Sequence, residues 1–229
     1  MTLRPQPELA TEKLQPKASR KSIFPFLQLP LELRLEIYAY LLILPENAVY
    51  NYNYYTHRAN TAHTTLCPQI LLVNWQINCE ATDLLYKKNT FLAHPSLLTA
   101  FPRLPPLPNP VSSQVAASQI RRVRLRLRLD WDLPFKAEDV KSALSGMERV
   151  EIQIVQKTFL GVGCGNLKVL EGVRGVGEVK IWGSTTGFEK YVHWLEETMM
   201  KPAGEAEGDT YGDRYDEGLV ERLHLCSYL

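Results

Sequence analysis

The sequence predicts an α+β (or α/β) protein, in which a helical N-terminal region precedes a small lobe of strands and helices. Apolar residues recur at helical spacing in two segments of the first half, residues 33–44 and 70–85, and residues 89–91 are predicted to turn into a short extended piece. Apolar and polar residues alternate strictly at 123–129 and 150–155, and more briefly at 179–182, which predicts three strands. A helical stretch at 136–144 and a second at 166–171 separate these strands.

Composition divides the chain of 229 residues into four predicted parts. Residues 1–22 have little apolar periodicity and are predicted to be a disordered arm. Residues 23–95 form the helical region, which contains an insert rich in Tyr, Asn and Thr at 50–65. Residues 96–118 are rich in proline and are predicted to link two lobes. Residues 119–229 form the second lobe, with an acidic, glycine-rich loop at 204–218.

The first predicted helix begins after Pro30 and ends at Pro45, with Glu32 suiting the helix dipole near its start. Its apolar residues share one face, which defines a stripe: Leu33, Ile37, Tyr40, Leu41 and Leu44.

Two motifs lie in this helical region. The first reads Leu29-Pro30-x-Glu32-Leu33-x-x-x-Ile37-x-x-Tyr40-Leu41 and includes Arg34 after a Phe-rich start. The second spans residues 70–91 and reads ILLVNWQINCEATDLLYKKNTF. In this order the pair resembles the fungal F-box-like domain. The insert at 50–65 departs from the pattern of that family, whose helices normally follow each other closely.

The resemblance implies a protein-interaction module without catalytic activity. F-box helices bind the Skp adaptor of a cullin–RING ubiquitin ligase, and the lobe that follows captures a substrate protein. The alternative within the same resemblance is a fungal scaffold protein that has lost the adaptor. By match to the motif, the adaptor-facing or core positions are Leu29, Pro30, Leu31, Leu33, Ile37 and Leu41.

The second lobe has a repeating pattern. Strand starts recur about every 28 residues, and Gly146 and Gly172 end the helical stretches between them. Such units resemble leucine-rich repeats, although the Asn ladder and dense Leu pattern of true repeats are missing. We therefore expect a curved parallel sheet of leucine-rich-repeat-like units.

The first strand of this lobe carries Arg124, Arg126 and Arg128 on one face. Two interpretations are open, namely a cationic face that binds an acidic partner or phosphate backbone, and a solvated face paired to its neighbour. If the next strand is a parallel neighbour, Glu151 and Gln153 lie beside the arginine row. A nucleic-acid binder is thus a third functional hypothesis.

Composition excludes several classes of protein. The formal net charge of +1 gives no bulk attraction to nucleic acid or anionic membranes. No apolar run reaches the ~18 residues of a membrane span, and the first twenty residues lack a signal core. The four cysteines have no framework spacing, which predicts reduced thiols and an intracellular protein of the cytoplasm or nucleus.

No sequence pattern predicts a cofactor, metal or catalytic group. Gly161, Gly163 and Gly165 match neither a dinucleotide fingerprint nor a phosphate loop. His57, His63, Cys67 and Cys79 lack the paired spacing of a zinc site. No nucleophile stands beside a recognisable base, so we expect no enzyme activity.

Overall fold

A five-stranded, mostly parallel sheet lies at the centre of the molecule. The computed structural model describes residues 24–45, 52–53, 58–59, 66–94, 98–105, 107, 109–156, 163–204 and 211. Strand order in the sheet is β4-β3-β5-β6-β7. The strands are β3 (Thr90–His94), β4 (Leu98–Arg103), β5 (Arg122–Arg128), β6 (Arg149–Val155) and β7 (Glu178–Gly183). Two further residue pairs, β1 (Tyr52–Asn53) and β2 (Arg58–Ala59), form a short antiparallel ladder.

The helices of the described ranges precede or connect these strands. They are α1 (Leu31–Leu42), α2 (Trp75–Lys88), α3 (Gln114–Ala117), α4 (Ala137–Leu144) and α5 (Glu189–Met200). Short 3₁₀ helices lie at Phe26–Gln28, Pro68–Leu72 and Cys164–Leu170. None of the described helices is long and apolar enough to span a membrane.

Strands β3, β5, β6 and β7 are parallel, and β4 is antiparallel to β3 at one edge. The combination of helices and strands predicted from the sequence is therefore confirmed. The predicted register is also confirmed, because Arg124 pairs with Glu151 and Arg126 with Gln153 across β5 and β6.

One face of the sheet carries the hydrophobic core. Each step from β3 to β5, β6 and β7 moves one strand in the same direction, so right-handed crossovers place α3, α4 and the last 3₁₀ helix on one face. The core combines buried side chains of α1 and α2 with those of the sheet, α4 and α5, from Tyr38 to Met199.

The prediction of a linker at 96–118 is wrong for residues 98–105. Residues 98–103 form β4, and Pro102, Leu104 and Pro105 are buried. Proline fits here because β4 is an edge strand, where a missing backbone N–H leaves no gap in the ladder. Leu98 and Phe101 have positive φ angles, 49° and 52°, which non-glycine residues seldom adopt.

The second predicted helix is interrupted. Residues 68–72 form a 3₁₀ helix, and α2 begins only after Asn74, whose side chain accepts a hydrogen bond from the Gln76 N–H. Asparagine is a strong N-cap and here starts a new helix. The predicted arm at 1–22 and residues 219–229 lie outside the described residues, as do most of the insert at 50–65 and of the acidic loop at 204–218.

Candidate protein-interaction site

Arg34 holds α1 in place from a buried position. Its Nε and Nη2 atoms donate to the two carboxylate oxygens of Glu80 on α2, at 2.9 and 2.7 Å. Its Nη1 atom donates to the carbonyls of Leu27, at 3.2 Å, and Leu29. One guanidinium therefore binds α2 and the chain that enters α1, using the planar fork that only arginine offers.

Glu80 is the shared acceptor of this polar cluster. The Tyr38 hydroxyl donates to it at 3.1 Å, and the Gln76 amide donates at 2.9 Å. The hydrogen bond from Arg34, followed by that from Gln76, lowers the pKa of Glu80 from its ordinary 4.5 to about 2. The carboxylate is therefore charged throughout the physiological pH range, and the cluster stays bonded.

Asn89 joins the far ends of the same two helices. Its Oδ1 accepts from the Leu44 N–H at 2.7 Å, while its Nδ2 donates to the carbonyls of Leu42, at 2.7 Å, and Leu85, at 2.9 Å. Arg34 near the start of α1 meets Glu80, and the end of α1 meets Asn89. The two helices therefore lie side by side and run in the same direction.

The insert between α1 and α2 does not separate them. The Cys67 N–H donates to the Leu41 carbonyl at 2.9 Å, so the chain returns beside the end of α1. Where the chain leaves the end of α1, the Leu44 N–H donates to the Asn89 side chain. The departure from the F-box-like spacing is thus compatible with close contact between the two motif segments.

The buried face of α1 lies away from Leu33, Ile37 and Tyr40 of the predicted apolar stripe, whereas Leu41 is half-buried and Leu44, beyond the helix end, is buried. Arg34, Tyr38 and Leu42, spaced four residues apart, face the core. Leu33, Ile37 and Tyr40 are 46, 38 and 87% exposed. At 100° per residue these three side chains lie within about 60° of one another on the opposite side of the helix.

The six motif positions predicted to face an adaptor or the core are now placed. Leu33, Ile37, Pro30 and Leu31 are exposed, while Leu29 and Leu41 are half-buried. None of the six is fully buried.

The second motif also exposes large apolar side chains. Leu72 and Trp75 are 86 and 82% exposed, and Val73 lies between them. At 100° per residue Trp75 lies about 140° around α2 from Glu80, which faces α1, so Trp75 points away from α1. We define the apolar surface as Leu33, Ile37 and Tyr40, which share one side of α1.

Both interpretations of the arginine row place Arg124 on a solvent-exposed face, and that exposure is wrong for Arg124, although its pairing with the neighbouring strand is confirmed. Arg124 and Glu151 are only 3 and 2% exposed. The Arg124 Nε donates to Glu151 at 2.7 Å, Nη2 makes a second bond, and the guanidinium lies 5.3 Å from the Trp182 ring centroid. Arg126 and Arg128 are half-buried, and Arg128 donates to Asp130 at 3.1 and 3.0 Å. Arg124 is therefore unavailable to phosphate in this structure.

Sequence reasoning missed the roles of Arg34, Glu80 and Asn89. The available signal was that each motif contains polar residues within an apolar helix, which require partners when buried. In the described residues, no three His, Cys, Asp or Glu side chains cluster as a metal site requires. His57 and His63 lie outside those residues.

Comparisons with models of protein families, with curated proteins and with solved structures found no match to this chain.

Proposed function

We propose that this chain is a non-catalytic, F-box-like interaction module that binds a Skp-type adaptor of a cullin–RING ubiquitin ligase through the apolar surface. The leucine-rich-repeat-like lobe would then hold a substrate protein. The exposure of Leu33, Ile37 and Tyr40 carries this proposal.

The polar residues of the two motifs have a structural explanation within the chain. Arg34, Tyr38, Gln76, Glu80 and Asn89 hydrogen-bond to one another or to nearby backbone. The exposed apolar residues of the same motifs have no comparable role. Contiguous apolar side chains on a protein surface commonly mark a binding site.

The spacing of the exposed residues suits a partner groove. Leu33, Ile37 and Tyr40 occupy positions i, i+4 and i+7 of one helix, which is the pattern of helix-in-groove recognition. Since Arg34 and Tyr38 fix the opposite side of α1, the helix is held rigidly while it presents these three side chains.

The test measures adaptor affinity with the full chain and variants of α1. Truncating a central anchor often costs ~2 kcal/mol, or about 30-fold in Kd, so Ile37→Ala and Leu33→Ala should each weaken binding by that order. Met200→Ala, which truncates an exposed apolar side chain at the end of α5, is the matched control and should change Kd by less than about twofold. Circular dichroism and thermal melting establish that each variant is folded.

Two results would refute the proposal. A folded wild-type chain without adaptor binding at ~10 µM would remove the ligase role, and the surface would then belong to another protein, as in the scaffold alternative. Binding that is unaffected by both apolar variants would show that the adaptor uses a different surface.

A further inference from the structure

The apolar surface of α1 has two different borders. At 100° per residue, Arg34 lies about 60° around the helix from Ile37, where it is buried and bonded to Glu80. Glu36 lies about 40° from Tyr40 on the other side, and both of these side chains are exposed. Helix α2 therefore closes the first border, while the second border is open to a partner.

The open border is acidic. Glu32 precedes Glu36 by four residues and lies about 40° further around α1, and both carboxylates are exposed. Neither carboxylate takes part in an ion pair within the ranges that the structure describes. The third charged residue of α1 is Arg34, whose charge is balanced by Glu80. The exposed side of α1 therefore carries two negative charges next to the apolar surface.

The stability of α1 accounts for one of these glutamates but not for the other. Glu32 lies in the first turn, where a negative charge interacts favourably with the helix N-terminus. Glu36 lies beyond the first turn and repels Glu32 across the four-residue spacing. Helix propensity is similar for Glu, Gln and Lys, so it does not explain why position 36 is acidic. A basic group of a partner beside this border converts the repulsion into attraction.

The acidic border is a local feature of the molecule. The whole chain has a formal net charge of +1, so a negative border on α1 does not follow from an acidic composition. Local charge next to an apolar surface steers a partner of opposite charge to that surface and fixes the orientation in which it binds.

We propose that the partner groove for α1 has an apolar floor and one basic wall, with Lys or Arg side chains beside Glu32 and Glu36. This inference rests on the proposed function and gives the orientation of α1 in the groove. Leu33, Ile37 and Tyr40 enter the groove, and the two glutamates lie at its rim. Charges at the rim of an interface act mainly on the association rate constant and its salt dependence, whereas most other contacts act on the dissociation rate constant.

Association kinetics of the full chain with the purified Skp-type adaptor, measured by surface plasmon resonance at ~0.1 M and ~1 M NaCl, test the proposal. Glu32→Lys/Glu36→Lys reverses the charge of the border and should lower the association rate constant about fivefold or more at the lower salt concentration. At the higher salt concentration the difference should fall below about twofold, because the Debye length decreases from about 10 Å to about 3 Å.

Three control variants separate charge at the border from other effects. Glu138→Lys/Glu197→Lys makes the same change in net charge at exposed positions of α4 and α5, and it should lower the association rate constant by less than about twofold. Ile37→Ala should instead raise the dissociation rate constant. Lysine in the first turn of α1 opposes the helix dipole, so thermal melting checks each variant. If the double variant of α1 is unfolded, Glu36→Lys alone replaces it, with an expected decrease of about twofold to threefold.

Several outcomes would overturn the inference. Faster association of the lysine variants of α1 would show that the wall beside the glutamates is acidic. Equal slowing by Glu138→Lys/Glu197→Lys would show that net charge alone controls the rate. Binding that is weakened by Ile37→Ala but is independent of salt and of both glutamates would refute the basic wall and leave the proposed function intact. A folded wild-type chain that does not bind the adaptor refutes the proposed function and this inference with it.

Discussion

The buried ion pair between Arg124 and Glu151 makes a sharp prediction about stability. Replacing Arg124 by Met preserves most of the side-chain length but leaves the Glu151 carboxylate buried. The Nε of Arg149 lies 3.8 Å from Glu151, but this nitrogen donates to Glu178 at 2.8 Å. Removing one partner of such a pair costs about 3–5 kcal/mol, because an uncompensated charge stays in the interior.

The double variant separates this effect from packing. Arg124→Met/Glu151→Leu removes both charges, and apolar replacement of a buried pair is often neutral or stabilising by ~1–4 kcal/mol. The lost contact with Trp182 adds up to ~1 kcal/mol to either variant. The double variant should therefore be more stable than Arg124→Met alone.

Urea unfolding at pH 7, followed by circular dichroism, gives the free energy of unfolding of each protein. Arg122→Gln on the same strand is the control, because its partner Glu148 is half-exposed and such pairs contribute about 1 kcal/mol or less. The reasoning is refuted if Arg124→Met loses less than about 1 kcal/mol, or if the double variant is the least stable protein of the set.

Two further predictions concern the helix pair and the sheet edge. The pKa of Glu80 is about 2 in the folded protein, below its ordinary 4.5. The charged carboxylate therefore contributes its full share to the free energy of unfolding above about pH 5, and this contribution decreases as pH falls towards 2. Urea unfolding of wild type and Glu80→Gln at pH 6 and pH 3 should show a smaller pH effect in the variant, and equal effects would contradict the role of Arg34. Gly183→Ala should lower the melting temperature far more than Gly146→Ala. Similar decreases in melting temperature for the two variants would contradict the close backbone approach at Gly183. Both glycines have positive φ, but a Cβ on Gly183 would lie 2.1 Å from a backbone oxygen, whereas Gly146 has open space.

The alternating strands could be predicted because their pattern reports burial directly. Buried Val123, Leu125 and Leu127 occupy every second position of β5, and β6 repeats the pattern in register. The sequence could not show that Arg124 is buried, since alternation separates two faces but does not reveal what covers the polar one. Arg124 bonds Glu151, which lies 27 residues away, and a contact between residues so far apart in the sequence leaves no periodic signal.

The N-terminal helices show a different limit of sequence reasoning. Apolar periodicity places Leu33, Ile37 and Tyr40 on one side of α1, but the core is formed by the side that contains Arg34 and Tyr38. The burial of Arg34 depends on Glu80, which lies 46 residues away. The rule that apolar residues are buried fails for α1, because hydrogen-bonded polar residues form its buried side and its apolar residues are left on the surface.

The outer edge of β7 limits how the sheet can grow. Glu178 and Ser184 donate towards β6, so the Ile181 N–H points outward, where Glu196 of α5 accepts it at 2.6 Å. A carboxylate on an edge amide obstructs pairing with any further strand, from this chain or from another molecule. Pairing of one more strand at Ile181 would require that carboxylate to move away, so Glu196 protects this part of the edge.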